Sequence, residues 1–139
     1  MFKSLVTEVL GVGVDPEQQG ASLKDYEWRS RVLIIFSDEE GTEAGRQASL
    51  LLARPDALCE RDLVVLEIAG GLVRGLYGAA DELSAEAIRA DCDVAPGFFS
   101  LVLVGKDGSI KLRNDHVTPP DEIFARIDSM PMRRAEAQH

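Results

Sequence analysis

Two stretches of the chain are apolar at all but one position each. Residues 31–36 read Arg-Val-Leu-Ile-Ile-Phe and residues 63–68 read Leu-Val-Val-Leu-Glu-Ile. Near-continuous runs of this length predict strands covered on both faces. Between them, Ala44, Ala48, Leu51 and Leu52 fall at helical spacing, with Arg46 and Gln47 off that stripe. Pro55 breaks this helix, and 56–61 adds another turn. Gly70, Gly71, Gly75 and Gly78 make 70–79 a flexible loop, without the spacing of a phosphate-binding loop. A second helix is expected over 82–91, with Leu83, Ala87 and Ala90 on one face and Ile88 and Cys92 beside it. Residues 98–104 and 109–113 then predict a hairpin around Gly105-Lys106-Asp107-Gly108, because Asp-Gly tolerates the positive φ of a tight turn. Thr118 is placed to cap a last helix, with Pro119 at its first position and Ile123, Phe124 and Ile127 on its apolar face. Met130-Pro131-Met132 ends that helix, and 133–139 is expected to be a frayed polar tail. Before the first strand, Tyr26 and Trp28 are expected as core or rim aromatics.

The predicted order is strand, helix, strand, helix, hairpin, helix. Two parallel strands joined by a helix, followed by an antiparallel hairpin, make the core of a thioredoxin-like α/β three-layer sandwich. The expected sheet is mixed and four-stranded, in the order 2-1-3-4. The 139 residues suit one domain. It is expected over 22–134, with an N-terminal extension at 1–21 and a polar tail at 135–139.

In this fold the chemistry follows the first strand. Thioredoxins carry Cys-x-x-Cys there and peroxiredoxins a single reactive cysteine. This chain has Ser37-Asp38-Glu39-Glu40-Gly41-Thr42-Glu43-Ala44-Gly45-Arg46 instead. Its acidic residues lie near a helix start, where negative charge is favoured, so they read as capping and solvation. No EF-hand pattern supports a cation site. Ser37, Asp38, Thr42 and Arg46 are candidates for a ligand or partner loop. Pro96 joins them, because Val94-Ala95-Pro96-Gly97 lies a residue or two before the place where such folds carry a cis-proline. For Pro96 both isomers stay open.

The two cysteines, Cys59 and Cys92, are too few for a disulfide framework. Each is expected near a helix C-terminus beside carboxylates, which favours the thiol over the reactive thiolate. Whether they pair is open at this level. A net charge of −9 argues against nucleic acid or an anionic membrane surface. The cations Lys106, Lys111, Arg113, Arg126, Arg133 and Arg134 either gather into an anion-binding face or pair locally. His116 and His139 make no metal or triad set. No apolar run is long enough to span a membrane and no secretory signal is apparent, so the expected location is cytoplasmic.

Several pieces carry a family resemblance. They are Leu23-x-x-Tyr26-x-Trp28-x-x-Arg31, Leu58-x-Glu60-Arg61-Asp62, Val104-Gly105-Lys106-Asp107-Gly108-x-x-Lys111-x-Arg113 and Ile127-Asp128-x-Met130-Pro131-Met132-Arg133. Together, over about residues 22–136, they resemble the domain of unknown function 4174 family. Its members are stand-alone bacterial proteins, many of them secreted, and a module of vertebrate matrix proteins. The resemblance implies a thioredoxin-like fold distantly similar to peroxiredoxins, with no established activity. The combined expectation is a non-catalytic module that binds a protein or small ligand through 37–46 and 93–98, with no cofactor and no metal. The competing expectation is a thiol oxidoreductase or peroxiredoxin-like enzyme using Cys59 or Cys92. Partner identity and oligomeric state are not legible.

Overall fold

All six residues of the first predicted strand are buried, as an apolar run flanked by helices on both sides requires. The computed structural model describes residues 23–78 and 82–137, so the extension at 1–21 lies outside it. In chain order these residues form a 3-10 turn at Leu23–Tyr26, β1 (Arg31–Phe36), α1 (Thr42–Leu52), α2 (Pro55–Glu60), β2 (Leu63–Ala69), β3 (Leu72–Tyr77), α3 (Ala85–Cys92), β4 (Ser100–Val104), β5 (Ile110–Asn114), α4 (Pro120–Asp128) and α5 (Pro131–Ala137).

The sheet has five strands in the order β3-β2-β1-β4-β5. β1 pairs in parallel with β2, from Arg31 opposite Leu63 to Phe36 opposite Ile68. β4 pairs antiparallel on its other side, with Leu33 opposite Leu103. The alternation of β1 feeds two cores. Leu33 and Ile35 pack with Ala44 and Leu51 of α1, Leu58 of α2, and Ile123, Phe124 and Ile127 of α4. Val32, Ile34 and Phe36 pack with Tyr26 and with Ala85, Ile88 and Cys92 of α3. Three layers result. No described helix is long and apolar enough to cross a membrane.

Several expectations are corrected. The four-stranded sheet of order 2-1-3-4 gains an edge strand, because Leu72–Tyr77, expected within a loop, is a strand. Gly70, at φ 58, turns the chain and β3 returns antiparallel along β2. Its register shifts where Tyr77 and Gly75 face Val65 and Leu66, so the glycine marks a bulge within a strand. In α1 the buried stripe is Ala44, Gln47 and Leu51, while Leu52 is exposed. Gln47 is buried because both ends of its amide are used. Its Nε2 donates to the Thr118 carbonyl at 2.9 Å, and its Oε1 accepts the Thr118 N–H at 2.7 Å. Left unpaired, such groups would cost about 1–3 kcal/mol each.

Thr118 does not cap a helix, because its hydroxyl donates to the His116 carbonyl at 3.0 Å and accepts from Asn114 Nδ2 at 2.8 Å. Pro119 precedes α4 and Pro120 is its first residue. In α3 the buried face is Ala85, Ile88 and Cys92, and Ser84 accepts the Ala87 N–H as its cap. Trp28 is 67% exposed, not a core residue. The tail expected to fray from 133 onward is helical through Ala137, and Arg133 is buried.

Candidate functional site

The loop from β1 into α1 and the loop from α3 into β4 meet beside the C-terminal end of β1, with their helices on opposite faces of the sheet. α1 departs from β1 over one core, and α3 returns to β4 over the other. Such switch points are where open α/β sheets form crevices. Here the crevice is bridged. Asp38 and Gly97 form a parallel β-bridge, and the Glu39 N–H donates to the Gly97 carbonyl at 3.2 Å. The Ser37 N–H donates to the Ile68 carbonyl at 2.8 Å, and its hydroxyl donates to the Asp38 carbonyl at 2.8 Å.

Asp38 fills the N-terminus of α1. Its Oδ2 accepts the N–H groups of Thr42 and Glu43 at 3.0 and 3.3 Å, and its Oδ1 accepts that of Ala44 at 3.1 Å. Gly41, left-handed at φ 78, precedes the helix without a side-chain cap, so the carboxylate reaches in from three residues earlier. Partial desolvation pushes the Asp38 carboxyl up. The bonds from Ala44, Glu43 and Thr42 outweigh it and hold the group below the ordinary aspartate value. The positive end of this helix, which would lower a thiol's pKa, is thus satisfied by the chain's own carboxylate.

The other sequence candidates do not converge. Thr42 and Arg46 are both exposed. Arg46 lines a shallow depression of about 550 Å³ with Ser49, Leu50 and Ala53 on the outer side of α1. Pro96 lines a different cavity, of about 890 Å³, with Gly70, Gly71, Ser84, Arg89 and Ala95. Arg89 also lines this cavity, and its Nε is buried without a hydrogen-bond partner. No described peptide bond is cis, which leaves Pro96 an ordinary trans proline.

Both cysteines are free, Cys59 exposed and Cys92 buried. They stand on opposite faces of the sheet, on α2 and α3, and cannot pair across it. Cys59 lines a cavity of about 420 Å³ with Leu63, Tyr77 and Asp62. Desolvation and a hydrogen bond with Cys59 raise the Tyr77 phenol above its ordinary value. Burial pushes the Cys92 thiol up to about 11, with Arg113 opposing and Asp91 assisting. Arg113 donates to the Cys92 carbonyl. Among the described residues, no group of three or more His, Cys, Asp or Glu is placed to hold a metal ion.

Of the six candidate basic residues, Lys106, Lys111 and Arg133 are paired with carboxylates. Lys111 pairs with Asp107 at 3.0 Å. Lys106 and Arg133 join a network at the N-terminal ends of β1 and β2, the base of the sheet. Arg31, only 1% exposed although it is charged, donates from both Nη atoms to Glu136 at 3.2 and 3.3 Å and to the Arg61 carbonyl at 2.9 Å. Lys106 bridges Asp62 and Glu136, each at 2.8 Å. Arg133 reaches Glu60 at 2.6 Å and Asp128 at 3.3 Å, and Arg61 pairs with Asp128 at 2.9 Å. Desolvation pushes the Glu136 carboxyl up, but Lys106 and Arg31 outweigh it and hold it below its ordinary value. Residue-by-residue reading missed this cluster. The signal was present in the motif pieces, since Arg31, Glu60-Arg61-Asp62, Lys106, Asp128 and Arg133 all belong to them.

Residues 22–136 match the family described as a domain of unknown function, DUF4174, and the chain belongs to that family. No curated protein matches it. Among solved structures it is similar to the reduced 2-Cys peroxiredoxin of Plasmodium vivax, with a TM-score of 0.54 and 19% identity over 81% of this chain and 84% of that one. It is also similar to thioredoxin peroxidase I of Plasmodium yoelii, with a TM-score of 0.57 and 18% identity over 81% and 79%. At this identity the likeness establishes the fold, a thioredoxin-like α/β sandwich of the peroxiredoxin kind.

Proposed function

We propose that this DUF4174 protein is a binding module without thiol chemistry, taking a protein segment or small ligand at the C-terminal edge of its sheet. The observation that carries the reading is Asp38. A thiol reacts as thiolate, and the fold would lower its pKa at the start of the helix after β1. There the N–H groups of Thr42, Glu43 and Ala44 already bind a carboxylate, which neither reduces peroxide nor exchanges disulfides. The cavity beside Pro96 supports a ligand role for the same edge. It is of ligand size, and Arg89 is among the residues that line it. The test is turnover of hydrogen peroxide with a thiol reductant, and of insulin disulfides, against a protein with both cysteines replaced. No turnover above that control is expected.

The alternative, a thiol oxidoreductase, is favoured by one observation: Cys59 is exposed and lines a cavity with Tyr77. Turnover lost in Cys59→Ser would overturn the binding reading. Turnover surviving removal of both cysteines would overturn both.

A further inference from the structure

Among the described residues, every α-helix but α5 is held by apolar side chains. α1, α2, α3 and α4 each send at least one into a core. α5 sends none, and the one side chain it buries is Arg133. At seven residues it is also too short to persist as an isolated helix. It is held by two charged side chains one turn apart. Arg133 is received by Glu60 and Asp128, and Glu136 by Arg31 and Lys106.

Three of the four receiving groups are held without α5, while the exposed Glu60 is paired with Arg133 itself. Arg31 is anchored on the Arg61 carbonyl, Lys106 on Asp62, and Asp128 on Arg61. The seat is therefore preformed at Arg31, Lys106 and Asp128 and carries a two-sign code, a carboxylate pair for an arginine and a cation pair for a glutamate. Beside it a cavity of about 270 Å³ opens between Met130-Pro131-Met132 and Gly105-Lys106-Asp107. Trp28, in the turn before β1, is bonded to the hairpin turn. Its N–H donates to the Lys106 carbonyl at 2.7 Å, its backbone is left-handed at φ 68, and its side chain faces solvent. A bulky residue in that conformation is strained, and strain of this kind collects at functional places.

We infer that the base of the sheet is a docking seat for a short helical segment of a partner protein, one with arginine and glutamate three residues apart, and that α5 is its resident, displaceable occupant. The seat lies at the opposite end of the sheet from the proposed ligand edge and does not depend on it. Ionic contacts suit exchange, because a displacing segment restores every pair that it breaks, whereas withdrawing apolar side chains would open a cavity in the core.

The experiment uses the full chain. A fluorescein-labelled peptide of residues 129–139 is titrated into wild-type protein and into Glu136→Gln, which loosens the resident helix. The labelled peptide competes in the wild type against a tethered copy of itself. About tenfold tighter binding to the variant is therefore expected, and about 0.5 M salt should abolish it. Equal affinities would overturn the inference and leave the network structural. A concentration-dependent dimer of Glu136→Gln would overturn the partner assignment, putting a second copy's α5 in the seat. Should that variant not fold, hydrogen exchange of the wild type decides. Amides of 133–137 are expected to exchange about a hundredfold faster than those of β1, by local opening. Exchange only at the rate of global unfolding would overturn displacement.

Discussion

At the C-terminal ends of β1 and β2 the chain closes its loops with backbone hydrogen bonds and one carboxylate, that of Asp38. At their N-terminal ends it gathers Arg31, Arg61, Lys106 and Arg133 against Glu60, Asp62, Asp128 and Glu136. The first end is where this fold usually places its reactive sulfur, and here a capping carboxylate stands at the helix start. The second end holds most of the polar residues of the family's motif pieces. One scaffold thus separates the place where chemistry is provided for from the place where its specific side chains accumulate, and fold alone predicts only the former.

The comparison breaks most readily at Arg31. Its guanidinium is almost fully buried, and Glu136 and the Arg61 carbonyl depend on it. Arg31→Ala removes one side of a buried pair, and Lys106 remains to receive Glu136. The expected loss is about 3 kcal/mol, the low end for breaking such a pair. It would be measured by urea unfolding, with a lower midpoint at unchanged slope. A loss within the range of ordinary surface substitutions would mean that the base is no more specific than the edge.

Asp38→Ala is expected to do less, because the cap lies near the surface and water can reach the freed N–H groups. The amides of Thr42, Glu43 and Ala44 should exchange faster while those of β1 keep their protection. The pH dependence follows from the direction of the shift. The folded carboxyl titrates below its unfolded value, so its contribution is complete above the ordinary carboxylate range and is lost as pH falls through the folded value. The difference in Tm between wild type and Asp38→Ala should therefore shrink on acidification. A difference that grows would reverse the sign assigned to Asp38.

What the sequence made legible follows from what each segment is held by. β1, β2, the β4–β5 hairpin and the inner face of α4 are fixed by apolar runs of strand or helix period, and periodicity reports them. β3 is an edge strand that buries little, with a glycine at its bulge, so its glycines read as a loop. α5 has no apolar stripe, and the proline that reads as a helix stop, Pro131, is instead a helix start. The acidic loop was legible as capping in kind, but not that Asp38 would reach past Gly41 to do it. The base network was not legible at all by spacing. Its members are up to 105 residues apart, and Arg31 lies inside a run that otherwise announces a core strand.

The smallest expected effect concerns the thiols, and it sharpens the comparison because both stand away from the Asp38 edge. Cys59 shares a cavity with Leu63 and Asp62, and Cys92 shares one with Val104 and Gly108, all toward the base. Cys59 is exposed and Cys92 is buried with its thiol pushed up to about 11. In native protein at about pH 8, where an ordinary thiol is partly ionised, Ellman's reagent should titrate one thiol, lost in Cys59→Ser, and a second only after unfolding. The alkaline arm carries the sign. The folded thiol titrates above its unfolded value, so its contribution to stability is fully present below 9.0 and is lost as pH rises toward about 11. Other groups also titrate there, so the measurement is the difference between wild type and Cys92→Ala, which should narrow across that window. Rapid native labelling of both thiols would place a reactive sulfur at the base and remove the reason for treating the edge and the base as different in kind.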